Sequence, residues 1–401
     1  MLTNRQLFSR YMGLPSVISD PVEIIRAEGI YLYDDAGNKY IDLVSGVSVS
    51  NVGHAHPSVV EAVRKQIDQY MHLMVYGKFV QSPQVKLAER LAKLLPGKLS
   101  SVYFVNSGSE AIEGAIKLSR RVTGRTEMAG FAHAYHGGSL GALSLLGDEH
   151  LKNAFRPLIP DTRMLPYNSF EALEQISERT ACVLIEPIQA EAGIILPKPG
   201  FLEAVRRKCE ETGAMLIFDE IQMGMGRTGK MFAFEHSGVV PDILCLAKAF
   251  GGGMPLGAFV SSPEHMSKLT FEPELGHITT FGGHPVCCAA SLAAIDVLFD
   301  SKLIEDADRK GKMFADGLIN KPGVKEIRQA GLMLGVELCD DGLTASLMKE
   351  FSLNRLIVDQ FLFNPAAFRI APPLTITDDE IRKSLELIIH CITIANNHTT
   401  I

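Results

Sequence analysis

Between residues 101 and 246 the chain alternates short, uninterrupted apolar runs with amphipathic stretches of helical period. Val102-Tyr103-Phe104-Val105 is followed by helical spacing over 109–121, and Cys182-Val183-Leu184-Ile185 by helical spacing over 200–211. Met215-Leu216-Ile217-Phe218 and Ile243-Leu244-Cys245-Leu246 continue the series. Strands that are apolar at every position are buried on both faces, so the pattern predicts a mostly parallel sheet covered by helices. Upstream, Glu23-Ile24-Ile25-Arg26 and Tyr31-Leu32-Tyr33 flank Gly29, and Asp34-Asp35-Ala36-Gly37-Asn38 reads as a turn into Lys39-Tyr40-Ile41-Asp42. This predicts a small antiparallel meander. Beyond residue 285 the pattern predicts helices over 286–299 and 303–318, strands near 324–328 and 332–338, and an amphipathic helix over 378–396. The expectation is an α/β chain with a large domain over 51–290. A smaller α+β domain is drawn from both termini, 1–50 and 291–401.

Composition narrows the partners. Lys and Arg number 39 against 46 Asp and Glu, a net charge of −7 in 401 residues, which leaves no electrostatic drive toward nucleic acid or an anionic membrane. A small-molecule partner is the default. Seven cysteines without a C-x-x-C pair argue against a disulfide framework or a zinc site and fit a cytoplasmic protein. Residues 1–13 lack the continuous apolar core of a secretory signal. Two stretches without Asp, Glu, Lys or Arg, 128–147 and 275–295, are broken by histidines and glycines and make poor membrane spans. The histidine pairs His54/His56 and His133/His136 lack a third ligand, so turn or core roles are expected and no metal.

Three positions carry candidate chemistry. Asn106-Ser107-Gly108-Ser109-Glu110-Ala111 follows a strand and opens a helix, where unpaired N–H groups and small residues suit a phosphate. Asp219-Glu220 ends the strand Met215 to Phe218, and Lys248 follows the strand Ile243 to Leu246, before Gly251-Gly252-Gly253. In a parallel sheet the carboxyl ends of the strands line the ligand crevice, which brings both charges to one rim. Gly224-Met225-Gly226-Arg227-Thr228-Gly229 matches G-x-G-x-x-G, but it starts six residues beyond Phe218 and Met231 stands where a phosphate loop needs a hydroxyl. A flexible active-site loop is the better expectation for it.

These residues, together with Glu186-Pro187-Ile188-Gln189, Asp219-Glu220-Ile221-Gln222, Gly226-Arg227-Thr228-Gly229, Thr279-Thr280-Phe281-Gly282-Gly283 and Arg369-Ile370-Ala371-Pro372-Pro373, resemble the class III, or ω-amino, aminotransferases. The similarity keeps its order from about residue 20 to 395. It implies a fold-type-I scaffold, pyridoxal 5′-phosphate as cofactor, and a homodimer with shared active sites. It further implies that Lys248 carries the cofactor and moves the substrate proton, and that Asp219 pairs with the pyridinium nitrogen. Ser107, Gly108 and Ser109 would hold the phosphate, with Thr280 reaching it from the neighbouring subunit. Tyr135 would stack on the ring, Gln222 would contact its hydroxyl, and Glu186 joins the cofactor-binding set.

For the substrate, Arg369 resembles the arginine that forks onto an α-carboxylate, and Glu191 the acid that neutralises it while an ω-amine is bound. The chain departs from the ornithine and acetylornithine enzymes at Tyr135-His136-Gly137-Gly138, where they carry Arg in place of Gly138. Val47 is aliphatic where the ornithine enzyme has an aromatic, which favours a donor other than free ornithine. The expected activity is transfer of an amino group, an ω-amine of an ornithine derivative or 4-aminobutyrate, to a 2-oxo acid. A racemase or aminomutase on the same scaffold, or a nicotinamide-dependent dehydrogenase using the glycine motif, are the alternatives.

Overall fold

The computed structural model describes residues 2–16, 18, 21–77 and 79–399. Its largest sheet has seven strands, ordered Ser101–Val105, Gly257–Ser261, Ile243–Leu246, Met215–Asp219, Thr180–Ile185, Glu127–Phe131 and Thr162–Leu165. Six run in one direction and Gly257–Ser261 runs against both neighbours. Every residue of the central strands Thr180–Ile185, Met215–Asp219 and Ile243–Leu246 is buried, the two-sided burial that their unbroken apolar runs predict.

The helix Gly108–Thr123 shows how sequence sets the local structure. Ser107 caps it by accepting from the Glu110 N–H at 3.2 Å, Arg120 and Arg121 sit in the last turn, and Gly124 closes it at φ 68°. Its buried face sets Ala111, Gly114 and Ala115 among Ile112, Ile116 and Leu118, and packs on the sheet. A Cβ at Gly114 would run into the Phe259 ring.

Two smaller sheets flank this core. The meander Ile24–Glu28, Tyr31–Asp34 and Lys39–Asp42 is antiparallel and gains Leu356–Ile357 as a parallel fourth strand, tying the N-terminal segment to the C-terminal one. The other sheet holds Val324–Gln329, Leu334–Leu338, Ala367–Ile370 and Asp359–Gln360, all antiparallel. The helix Pro285–Asp300 packs against Pro57–Gln69 and Ser82–Leu94. The latter two were not anticipated, although Pro57 and Pro83 in their first turns are start signals.

The glycine-rich segment 224–229 corrects an expectation. It is no flexible loop and no dinucleotide site. Arg227 is 0% exposed, and its guanidinium donates to Leu332 O (2.9 Å), Pro372 O (2.6 Å), Ser45 Oγ (3.2 Å) and Asn51 Oδ1 (2.6 Å). The segment therefore fastens N-terminal and C-terminal parts of the chain to the large sheet. Gly226 is glycine because it turns at φ 85° with Ile304 and Leu374 close against it. Burial with weak charge compensation holds the Arg227 pKa down at about 9.

Candidate active site

Five strand ends converge on a cavity of about 360 Å³ at the carboxyl rim of the large sheet. Val105 leads into Asn106, Ser107, Gly108 and Ser109; Phe131 leads to Tyr135, His136 and Gly137; Ile185 is followed by Glu186; Met215–Asp219 ends in Asp219; and Leu246 leads to Lys248. Gly257–Ser261 runs the other way, so its leading residues Pro255 and Leu256 close the same rim. The arrangement is the switch-point crevice of an open α/β sheet.

One part of the wall suits an anion. Ser107, Gly108 and Ser109 begin a helix of sixteen residues, whose first N–H groups lack helical partners and whose dipole is positive there. Close packing keeps the approach bare. A Cβ at Gly108 would press on Ile221 at 2.9 Å, and one at Gly137, which turns at φ 124°, would overlap Ser109 Oγ. Asn106 is fixed by Glu110, whose Oε2 accepts from both its N–H (2.8 Å) and its Nδ2 (2.9 Å).

Acids and a buried imidazole make another part. Asp219 is 4% exposed; its Oδ1 accepts from the Ile221 N–H at 3.0 Å and its Oδ2 lies 2.7 Å from His136 Nδ1. An ionised carboxylate only accepts, so Nδ1 carries the proton. His136 Nε2 and Gln222 Nε2 are buried with no protein partner. Glu186 accepts from the Tyr135 N–H (3.2 Å) and the Ala190 N–H (2.9 Å). Burial, reinforced by the charge of Asp219, pushes its pKa up. Glu220, next in sequence to Asp219, is directed elsewhere. Its two oxygens accept from Ala233 N–H (2.6 Å) and Phe234 N–H (2.7 Å), and burial lifts its pKa to about 8.

Lys248 is the amine of the cavity wall. It adopts φ 52°, a left-handed conformation that a side chain tolerates only where surrounding structure holds it. Desolvation lowers its pKa, opposed most by the negative charge of Glu191. That same Glu191 meets Arg369, Oε2 to Nη2 at 2.8 Å, with the two side chains 7% and 1% exposed. Arg369 also lies over the Phe361 ring at 4.8 Å, and its Nε and Nη1 have no protein partner.

The structure thus gathers Ser107, Gly108, Ser109, Tyr135, Glu186, Asp219, Gln222 and Lys248 around one cavity, with Glu191 and Arg369 paired close enough to act on Lys248. It does not bring Val47 or Thr280 to the wall. Val49 lines it instead, because the chain reverses through left-handed positions at Ser45, Gly46, Val47 and Ser48. Thr280 is exposed at the surface. By sequence pattern His136 reads as a turn or core residue. Its place two residues before Gly138 in a charge-free stretch was the available signal, but only the fold pairs it with Asp219.

Comparison with known proteins agrees with this geometry. A family model described as aminotransferase class-III matches residues 16–392. The acetylornithine aminotransferase of Methanopyrus kandleri is 42% identical over 383 residues, covering 95% of this chain and 96% of that protein. A transaminase from the marine bacterium Virgibacillus superposes with a TM-score of 0.92 at 26% identity, covering 98% of this chain and 99% of its own. An ornithine aminotransferase from Toxoplasma gondii, described with partial occupancy of pyridoxal phosphate at its active site, gives 0.90 at 30% identity, covering 100% and 96%.

Proposed function

The chain belongs to the class III aminotransferases, which use pyridoxal 5′-phosphate, and from that premise we propose that it takes the ω-amino group of an amino acid and gives it to a 2-oxo acid. An ornithine derivative or 4-aminobutyrate is the candidate donor. The observation that carries this reading is the buried Arg369–Glu191 pair beside Lys248. A guanidinium suits a carboxylate, and an acid that cancels it lets an uncharged or ω-amine end occupy the same space. The likeness to an acetylornithine enzyme supports a donor other than free ornithine.

The residues present fit the cofactor. A helix N-terminus answers a phosphate, Asp219 answers a protonated ring nitrogen, and the unpaired Gln222 Nε2 answers a ring oxygen. Tyr135 would cover the ring face. When bound, the cofactor supplies an electron sink that acidifies the substrate carbon bearing the nitrogen. Lys248 Nζ then takes a proton from that carbon and returns one, which requires a neutral amine. Desolvation, which lowers its pKa, favours that state. His136, through Nδ1, orients the Asp219 carboxylate and keeps it an acceptor. Glu186, its pKa raised, limits the negative charge beside it.

The reading extends to a cytoplasmic homodimer whose partner subunit lends Thr280 to the phosphate, and to a large domain over 51–290 beside a smaller one from both ends. Met71, Met74, Ile278 and Phe281 are exposed, and the His72 and Phe281 rings stand 4.8 Å apart, which brings the segment at 71–74 beside the one that carries Thr280 and supports a covered face. No helix among the described residues is long and apolar enough to cross a membrane.

Replacing Lys248 with Ala should abolish turnover and the borohydride-sensitive visible absorption of the lysine–cofactor linkage. A variant that keeps full turnover would refute the assignment.

A further inference from the structure

A second cavity, of about 290 Å³, opens along the helix Gly108–Thr123 and shares no lining residue with the active-site cavity. Its helix residues Lys117, Arg120 and Arg121 follow Ser109 by 8 to 12 positions, about 12–18 Å at a rise of about 1.5 Å per residue. Lys268, just past the short helix Pro263–Ser267, adds a fourth cation. Among the described residues no acid lines this cavity, in a chain whose net charge is −7. Glu264, Glu272 and Glu274, the acids of the neighbouring segment, are exposed and lie outside the wall.

The four cations meet only neutral acceptors. Lys117 Nζ donates to Gly276 O (3.1 Å) and His277 Nδ1 (2.9 Å), and Arg120 Nη2 to Thr126 O (2.9 Å). Arg121 donates from Nε to Lys268 O (3.3 Å) and from Nη2 to Phe271 O (2.7 Å). Among the described residues no carboxylate pairs with any of the four. Attraction to the helix C-terminus accounts for Arg120 and Arg121 in the last turn, but not for Lys117 or Lys268. His277, also in the wall, accepts at Nδ1, so its proton is on Nε2, which is buried with no protein partner, as is Arg120 Nε. Burial, with the Lys117 charge adding to it, pushes the His277 pKa down to about 4 and keeps the ring neutral. Donors outnumber acceptors in this wall, a condition that an anion answers. Leu269, Phe271 and Pro273 make its apolar part, with Phe271 44% exposed.

We propose that this cavity binds a small polyanion that carries a flat apolar ring, of the nucleoside diphosphate class, away from the site of the reaction. The phosphates meet Lys117, Arg120, Arg121 and Lys268, and the ring lies on Phe271. The proposal goes beyond the aminotransferase reading and does not depend on it.

The test titrates ADP, inorganic pyrophosphate and adenosine by calorimetry into the holoprotein as it assembles in solution, desalted to remove free cofactor. ADP should bind once per chain, more tightly than pyrophosphate or adenosine, and added salt should weaken both phosphate probes. Lys268→Glu, at an exposed side chain outside the catalytic machinery, should weaken ADP and pyrophosphate alike by at least about fivefold. Phe271→Ala should weaken ADP by about fivefold or more and leave pyrophosphate unchanged, because it removes the ring contact alone. A native protein that binds neither phosphate probe overturns the proposal, as does binding unmoved by Lys268→Glu. Binding that bleaches the visible absorbance of the cofactor also overturns it, since the anion is then at Ser107–Ser109. ADP and pyrophosphate held equally, with Phe271→Ala silent, would overturn the nucleotide class.

Discussion

Glu191→Gln isolates the electrostatic gate of the site. The substitution keeps the side-chain volume and an oxygen able to accept the Leu362 N–H, which Glu191 Oε2 meets at 3.3 Å, while removing the charge set 2.8 Å from Arg369 Nη2. Two unit charges about 4 Å apart interact by about 4 kcal/mol at an effective dielectric constant of about 20. An incoming α-carboxylate recovers only part of that, because Arg369 Nε and Nη1 already lack partners and offer half of the fork in the native protein. A gain of about 1–3 kcal/mol remains, or about 5- to 150-fold. The expected outcome is a KM for the 2-oxo acid and for α-amino donors lower by that factor, with the ratio of ω- to α-donor reactivity falling in step. Half-reaction rates followed by cofactor absorbance read both. In the cofactor-free variant the pH midpoint for chemical modification of Lys248 should also fall, because Glu191 is the largest charge holding that pKa up. A donor ratio unchanged within twofold, or α-donors made worse, would refute the gate.

Three further outcomes test the scaffold. Arg227→Leu strands acceptors at Leu332, Pro372, Ser45 and Asn51, and should lower unfolding stability by about 3–5 kcal/mol; a urea-derived loss under 1 kcal/mol would sink the role assigned to this knot. Gly137→Ala forces a Cβ onto Ser109 Oγ at a left-handed position, so cofactor retention through gel filtration should drop while the fold survives; unchanged retention speaks against the helix N-terminus as the phosphate site. Glu220 has a folded pKa of about 8, above its ordinary value of 4.5, so its stabilising contribution is complete below pH 4.5 and is lost as pH rises through 8. Relative to Glu220→Gln, the native protein should lose up to about 1.4 kcal/mol per pH unit across that window, and parallel pH profiles of the two urea midpoints would contradict it.

Sequence alone determined the elements whose signal is local. The buried strands of the large sheet announce themselves because burial on both faces demands an apolar residue at every position, as in Ile243–Leu246. The helix after Ser107 is marked by its cap, and the meander by its turn at Gly37, φ 81°. Strand ends then placed Ser107, Asp219 and Lys248 on one rim, since a parallel sheet leaves no other place for them. Other features needed the tertiary structure, because they depend on which distant segments meet. Gly224–Gly229 has the composition of a mobile loop; it is a packed knot only because four acceptors from residues 45, 51, 332 and 372 converge on Arg227. His136 reads as a turn residue until the fold sets its Nδ1 against Asp219, 83 positions away. Val47 and Val49 are equivalent by pattern, and only the left-handed turns at residues 45–48 decide that Val49 faces the cavity. Gly138 belongs to both levels. The resemblance implies an arginine where the chain has Gly138, whereas the open space around it is a fact of three dimensions.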